Sequence, residues 1–166
     1  MSTERQNVLG APSAHRAQRA HIAETAKAPR PVRASFVLWL VAVSAGVFET
    51  ILAVTAREAG GDVLVGVAVR LAVFAAAIFL AVRLLRGRNW ARIALAIFLS
   101  GLGMLSLVVG PIQWLLDGNS LSQAVAAADA ATMLFASSRI LHVAAVIAAT
   151  VLMFTPAANA YLRSGK

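Results

Sequence analysis

The sequence predicts an all-α fold, an antiparallel four-helix bundle integral to a membrane and preceded by a disordered N-terminal tail. Three observations carry that prediction. The chain of 166 residues is 60% hydrophobic and only 13% charged, where soluble domains average roughly 45–50% and about 25%. Four apolar stretches are each long enough to cross a hydrocarbon core of about 30 Å. The net charge of +8 sits mostly in residues that flank those stretches, so membrane topology explains it and nucleic acid is not implied as a partner. Nothing points to β-structure or to an internal repeat. Cysteine is absent, which removes disulfide frameworks, thiolate metal sites and thiol oxidoreductase chemistry.

Residues 1–33 are polar, basic and alanine-rich, ending in Ala28-Pro29-Arg30-Pro31-Val32-Arg33. Such a composition cannot bury enough apolar surface to order itself, so a disordered cytoplasmic tail is expected. The transmembrane domain then occupies residues 34–163, with spans at about 35–56, 63–82, 91–116 and 139–161. A secretory signal would need an apolar region at 36–55, longer than the usual ~7–15 residues and containing Glu49, so that stretch fits a span better. Orientation follows from Lys and Arg. Twelve of the 15 basic residues lie in the tail, around the second connection or after span four. The positive-inside rule therefore places both termini in the cytoplasm of a multi-pass protein of the cell (plasma) membrane. Trp39, Trp90 and Tyr161 fall at the inner interface and Trp114 at the outer, as aromatic belts do.

The segment 117–138 precedes span four. From Leu121 to Thr155 there is neither glycine nor proline, and a continuous helix of that length would measure about 52 Å. Its first part must therefore lie outside the hydrocarbon core, which predicts an extra outer helix at about 121–136. The bend is expected at Ser137-Ser138-Arg139. Leu121, Val125 and Met133 would be the inward contacts if this helix covers the outer mouth.

Charges within the spans give the candidate site. Glu49 and Arg70 are equidistant from the turn between spans one and two, so an antiparallel hairpin sets them at one level, and a buried pair is expected. Glu49 shares a helical face with Ala42, Ala45, Gly46 and Ala53, and Arg70 shares one with Gly66, Ala77 and Ala81. Small residues mark helix–helix contact in membranes, so both charges should point inward. Span three carries a stripe through Gly103, Ser106, Gly110, Gln113 and Asp117. Span four carries another through Arg139, His142, Ala145 and Ala149. Glu49, Arg70, Gln113, Asp117, Arg139 and His142 are thus expected to form one buried polar cluster in the outer half. That cluster is either a small-molecule, ion or proton site or a structural ion pair that fixes helix register. Three histidines, His15, His21 and His142, give no metal-ligand spacing, and no cofactor is implied.

A second string, Arg86-Gly87-Arg88-Asn89-Trp90-Ala91-Arg92, combines a glycine turn with an interfacial tryptophan and several cations. Arg83, Arg86, Arg88, Trp90 and Arg92 are expected to face anionic headgroups and fix topology. The part Gly87–Arg92, followed by an apolar span, resembles a signature of small four-span actinobacterial membrane proteins of unknown function. The ending Val151-Leu152-Met153-Phe154-Thr155-Pro156-Ala157-Ala158-Asn159-Ala160-Tyr161 is similar to theirs as well. The resemblance implies fold and location over roughly residues 30–163 and brings no activity with it.

Without a complete catalytic set, the first expectation is a non-enzymatic accessory or scaffold component of a membrane complex. Its partners would be the lipid bilayer and either another membrane protein or a second copy of the chain. The alternative is a small transporter or channel component using an outward-facing polar cavity. Small multidrug exporters also have four spans and a glutamate in the first, but an arginine beside Glu49 would hold it ionised and oppose proton exchange.

Overall fold

A computed structural model describes residues 28–55 and 61–164. Helix α1 runs Arg30–Thr55 and α2 runs Gly61–Leu85. Helix α3 covers Asn89–Leu116 and is π-helical between Leu95 and Gly103, with α-helical Asn89–Ala94 and Met104–Leu116 on either side. A short α4, Leu121–Ala127, leads to α5, Ala130–Met153, and α6, Pro156–Ser164, ends the described chain. Four of these helices, α1, α2, α3 and α5, are long and apolar enough to cross a membrane. No strand occurs among the described residues. Residues 1–27, most of the predicted tail, and the turn at 56–60 lie outside the described part.

Side-chain pairs fix the packing. Ser35 Oγ donates to the Ala149 carbonyl at 2.8 Å and Ser138 Oγ to the Ala45 carbonyl at 3.4 Å, so α1 and α5 run antiparallel. Ser100 and Thr150 hydroxyls meet at 2.6 Å across α3 and α5. The α1–α5 contact is the most extensive in the bundle; Ala42, Ala45, Ala145 and Ala149 are all buried, and small side chains let backbones approach. Large buried side chains gather at one end. Val32, Trp39, Leu84, Leu95, Met153 and Leu162 are all nearly inaccessible. We call this the terminal end, since α1 begins and α6 ends there; the distal end carries Thr55, Gly61 and Leu116.

Several boundaries differ from the sequence-based expectation, each for a local reason. Helix α1 begins at Arg30, so Arg30-Pro31-Val32-Arg33 belongs to it rather than to the tail. Proline in a first turn loses no hydrogen bond, and the Pro29 carbonyl accepts from Val32 and Arg33 at 3.0 and 3.1 Å. The last span stops at Met153 instead of residue 161, because Pro156 starts a separate helix. That helix folds back under the bundle with Ala158 and Leu162 buried. Tyr161 donates to the Leu85 carbonyl at 3.0 Å. The break before α5 falls at Ala128–Asp129, not at Ser137-Ser138-Arg139, since Asp129 caps α5 by accepting from Thr132 N–H at 2.8 Å. Hydrogen bonds from the Thr132 side chain and backbone hold the Asp129 carboxyl below its ordinary value. Leu121, Val125 and Met133 are exposed, so the outer helix presents no inward contacts of the kind expected.

The α2–α3 turn closes at the terminal end. Gly87 has φ +80°, and its N–H reaches the Leu84 carbonyl while Arg88 N–H reaches that of Arg83. That pairing is a Schellman cap, which needs a left-handed residue and therefore glycine. Arg86, Arg88 and Trp90 stay exposed beside it, and Arg83 lies over the Phe79 ring at 4.9 Å. Arg92 does not face headgroups freely. It contacts the Asn159 side chain and lies 4.9 Å over the Phe154 ring, which ties α3 to α6. Trp39, expected in an interfacial belt, is 1% exposed and belongs to the core.

Candidate ligand cavity between the spans

Glu49 sits six residues before the end of α1, roughly 9 Å along the helix axis. It is buried, and its carboxylate turns toward α5. Arg139 Nε lies 2.8 Å from Glu49 Oε2. The Nε–H vector is not directed at that oxygen, so the contact is an ion pair rather than a hydrogen bond. His142 Nδ1 lies 3.3 Å from Glu49 Oε1. A carboxylate only accepts, so the proton in this contact is on Nδ1, and a neutral ring leaves Nε2 as an acceptor. Arg139 and His142 occupy one face because they are three residues apart on a helix.

Arg139 has a second anchor that Pro111 creates. Proline has no N–H, so the Leu107 carbonyl four residues earlier loses its intrahelical donor. Arg139 Nη1 donates to that carbonyl at 3.1 Å. An exposed carbonyl within a membrane costs several kcal/mol unless something satisfies it. One guanidinium thus satisfies a helix defect in α3 and a carboxylate in α1. The Phe135 ring lies 5.0 Å from its Cζ and completes the seat.

The expected Glu49–Arg70 pair does not form. Neither ion pair among the described residues includes Arg70. Depth is as expected, since α1 and α2 pair Gly46 with Phe74 at the matching level. The faces differ: Glu49 turns to α5, while Arg70 is exposed on α2 and its Nη1 lies over Gly66. Gln113 and Asp117 also stand apart from the cluster. Both are exposed, and no residue of Met104–Leu116 is buried. The π-helical stretch and Pro111 alter the register and path of α3, so a stripe drawn at regular helical spacing does not stay on one wall.

Glu49, Arg70, Arg139 and His142 instead line a common cavity of about 620 Å³ between α1, α2, α3 and α5. The remaining walls are mostly apolar, with Val73, Phe74, Phe98 and Leu102 among them, and Trp39 at the terminal end. The Trp39 indole Nε1 has no hydrogen-bond partner among the described residues. Gly46 shapes the wall. A Cβ there would stand 2.7 Å from the Phe74 ring and 3.2 Å from His142 Cε1, so only glycine admits both rings at this packing. Sequence reasoning assigned Glu49 the wrong arginine and missed Trp39 and Phe74. The signal for the true pairing was present, because the small-residue stripes of Glu49 and of Arg139–His142 are the two that meet.

Such a wall can bind and orient. It offers one fixed carboxylate with an arginine and a histidine against it, and a further arginine. No three His, Asp or Glu side chains among the described residues are grouped to hold a metal ion. No family model, curated protein or solved structure matches the chain.

Proposed function

We propose that the chain is a non-enzymatic, multi-pass protein of the plasma membrane that holds a small molecule in the cavity between its spans. It acts as an accessory binding component, with both termini cytoplasmic and the polar cluster in the outer half. The observation that carries this reading is the cavity itself: a purely structural ion pair would be packed over, whereas this one lines about 620 Å³ of space. That volume falls in the range of small-molecule sites, roughly 300–1,000 Å³, and the mixture of apolar walls with a few convergent polar groups is typical of them. The basic-residue asymmetry supports the orientation. The strings at 87–92 and 151–161 support kinship with the small four-span actinobacterial proteins.

The test is co-purification in mild detergent, with mass spectrometry of bound small molecules and proteins. The expected result is a stoichiometric small molecule on the natural chain and none on Val73→Trp, which fills the cavity from α2 while leaving the melting temperature close to natural. A protein partner retained equally by both forms, with no bound small molecule, would overturn the binding reading in favour of a scaffold.

A further inference from the structure

We infer that the cavity takes a long-chain anion, one apolar chain carrying an acidic head, which enters sideways from the bilayer between α2 and α3 and sets its head on Arg70. This identifies the ligand class for the binding site proposed above and rests on that reading.

Charge decides the head. Glu49 and Arg139 neutralise each other, while Arg70 lines the same cavity and belongs to neither ion pair among the described residues. Arg70 is thus the cation on this wall that no described carboxylate balances. A guanidinium at membrane depth with no counter-charge among the described side chains calls for one, and a carboxylate or phosphate fits its paired donors. The side chain also points the right way. Helical side chains lean toward the N-terminus of their helix, and Arg70 Nη1 lies over Gly66, one turn nearer the distal end. Its cation is therefore raised toward the level at which amphiphile headgroups lie.

Shape decides the tail and the route. Beyond Arg70 the cavity runs between Val73, Phe74, Phe98, Leu99, Leu102 and Val146. A small inorganic anion would leave those walls unused, and an uncharged hydrocarbon would leave Arg70 unanswered. The two helices beside the charge are also little buried on their distal turns. From Leu64 to Ala76 no residue of α2 is buried, and neither is any residue of Met104–Leu116 in α3. Met104–Leu116 makes no substantial contact with α2. The wall is therefore open on its lipid side at the distal end, and a chain already in the leaflet can move in without crossing water.

Trp39 provides the readout. In a Trp90→Phe, Trp114→Phe background, Trp39 at the terminal end of the cavity is the sole tryptophan and is excited selectively over Tyr161. A mid-chain dibrominated stearate is titrated into the detergent-solubilised protein, alongside its uncharged alcohol analogue and a dibrominated lysophosphatidylglycerol. The stearate should quench Trp39 saturably and the alcohol at least about tenfold more weakly, as expected for loss of one charge-assisted contact. Arg70→Gln should remove that preference and Arg70→Lys restore part of it, with melting temperatures unchanged. Tighter binding of the lysophospholipid would assign the head as phosphate, and tighter binding of the stearate as carboxylate. Equal saturable quenching by acid and alcohol, unaffected by Arg70→Gln, would overturn the anionic ligand while leaving small-molecule binding in place. No saturable quenching by any of the three would overturn the amphiphile altogether.

Discussion

The terminal and distal ends of this bundle use the same helices in opposite ways. At the terminal end, Leu84, Leu95 and Met153 share one buried cluster with Leu162 of α6, and a glycine cap closes the α2–α3 turn. At the distal end, α2 from Val63 to Ala76 and α3 from Met104 to Leu116 keep no buried residue, and polar side chains occupy the gap. Apolar packing dominates the closed end, where Arg92 on Asn159 and the Tyr161 hydroxyl on the Leu85 carbonyl add polar ties to α6. Splayed helices leave a space whose charges must be balanced side chain by side chain. The contrast teaches that apolar interlocking and open polar space are segregated along the bundle axis.

The sharpest way to break that picture is at the ion pair. Glu49→Gln leaves Arg139 without its counter-charge, and losing one partner of a buried pair costs about 3–5 kcal/mol. A double-mutant cycle with Arg139→Gln should show strong coupling, whereas the cycle with Arg70→Gln should close to within about 0.5 kcal/mol. Coupling at Arg70 in place of Arg139 would reverse the assignment made here.

Apolar truncation sharpens the same contrast. Leu84→Ala at the closed end should lower unfolding free energy by about 2–5 kcal/mol. Leu116→Ala, at a position 80% exposed, should stay within about 0.5 kcal/mol of the natural chain. Similar losses at both positions would mean that the distal end is packed after all.

The smallest effect is a pH dependence at the start of α5. The Asp129 carboxyl is lowered from an ordinary value of 3.8 by its bonds from Thr132. A depressed carboxyl contributes its cap fully above that ordinary value and loses it as pH falls through the lower folded one. Amide exchange at Thr132 should therefore accelerate only in strong acid, and Asp129→Ala should show fast exchange at every pH. Protection that persists unchanged in acid would show that the cap does not depend on ionisation.

How much of this was legible in the sequence depended on the kind of information required. The four spans follow from hydropathy, and the shared depth of Glu49 and Arg70 from counting residues across a turn. Azimuth was harder, because two residues at one level can face different neighbours, and symmetry about a turn says nothing about rotation. The stripes Ala42-Ala45-Gly46-Glu49 and Arg139-His142-Ala145-Ala149 held that answer, since small faces pair with small faces. Prolines misled at three places for one reason. Pro31, Pro111 and Pro156 act through a missing N–H, which starts one helix, frees a carbonyl in another and ends a third, and hydropathy is blind to all of these.

The seat of Arg139 has a consequence for how the protein is made. An arginine near the centre of a span raises the cost of its insertion by about 2.5–3.5 kcal/mol on the translocon scale. Arg139 belongs to the last of the four spans to leave the ribosome, and both of its partners, Glu49 and the Leu107 carbonyl, are synthesised earlier. By then a docking place already exists for the charge. In a glycosylation-mapping assay, α5 alone should insert poorly and α5 behind α1–α3 efficiently, with Glu49→Gln removing part of that gain. Equal insertion with and without the preceding helices would show that the order of synthesis confers nothing.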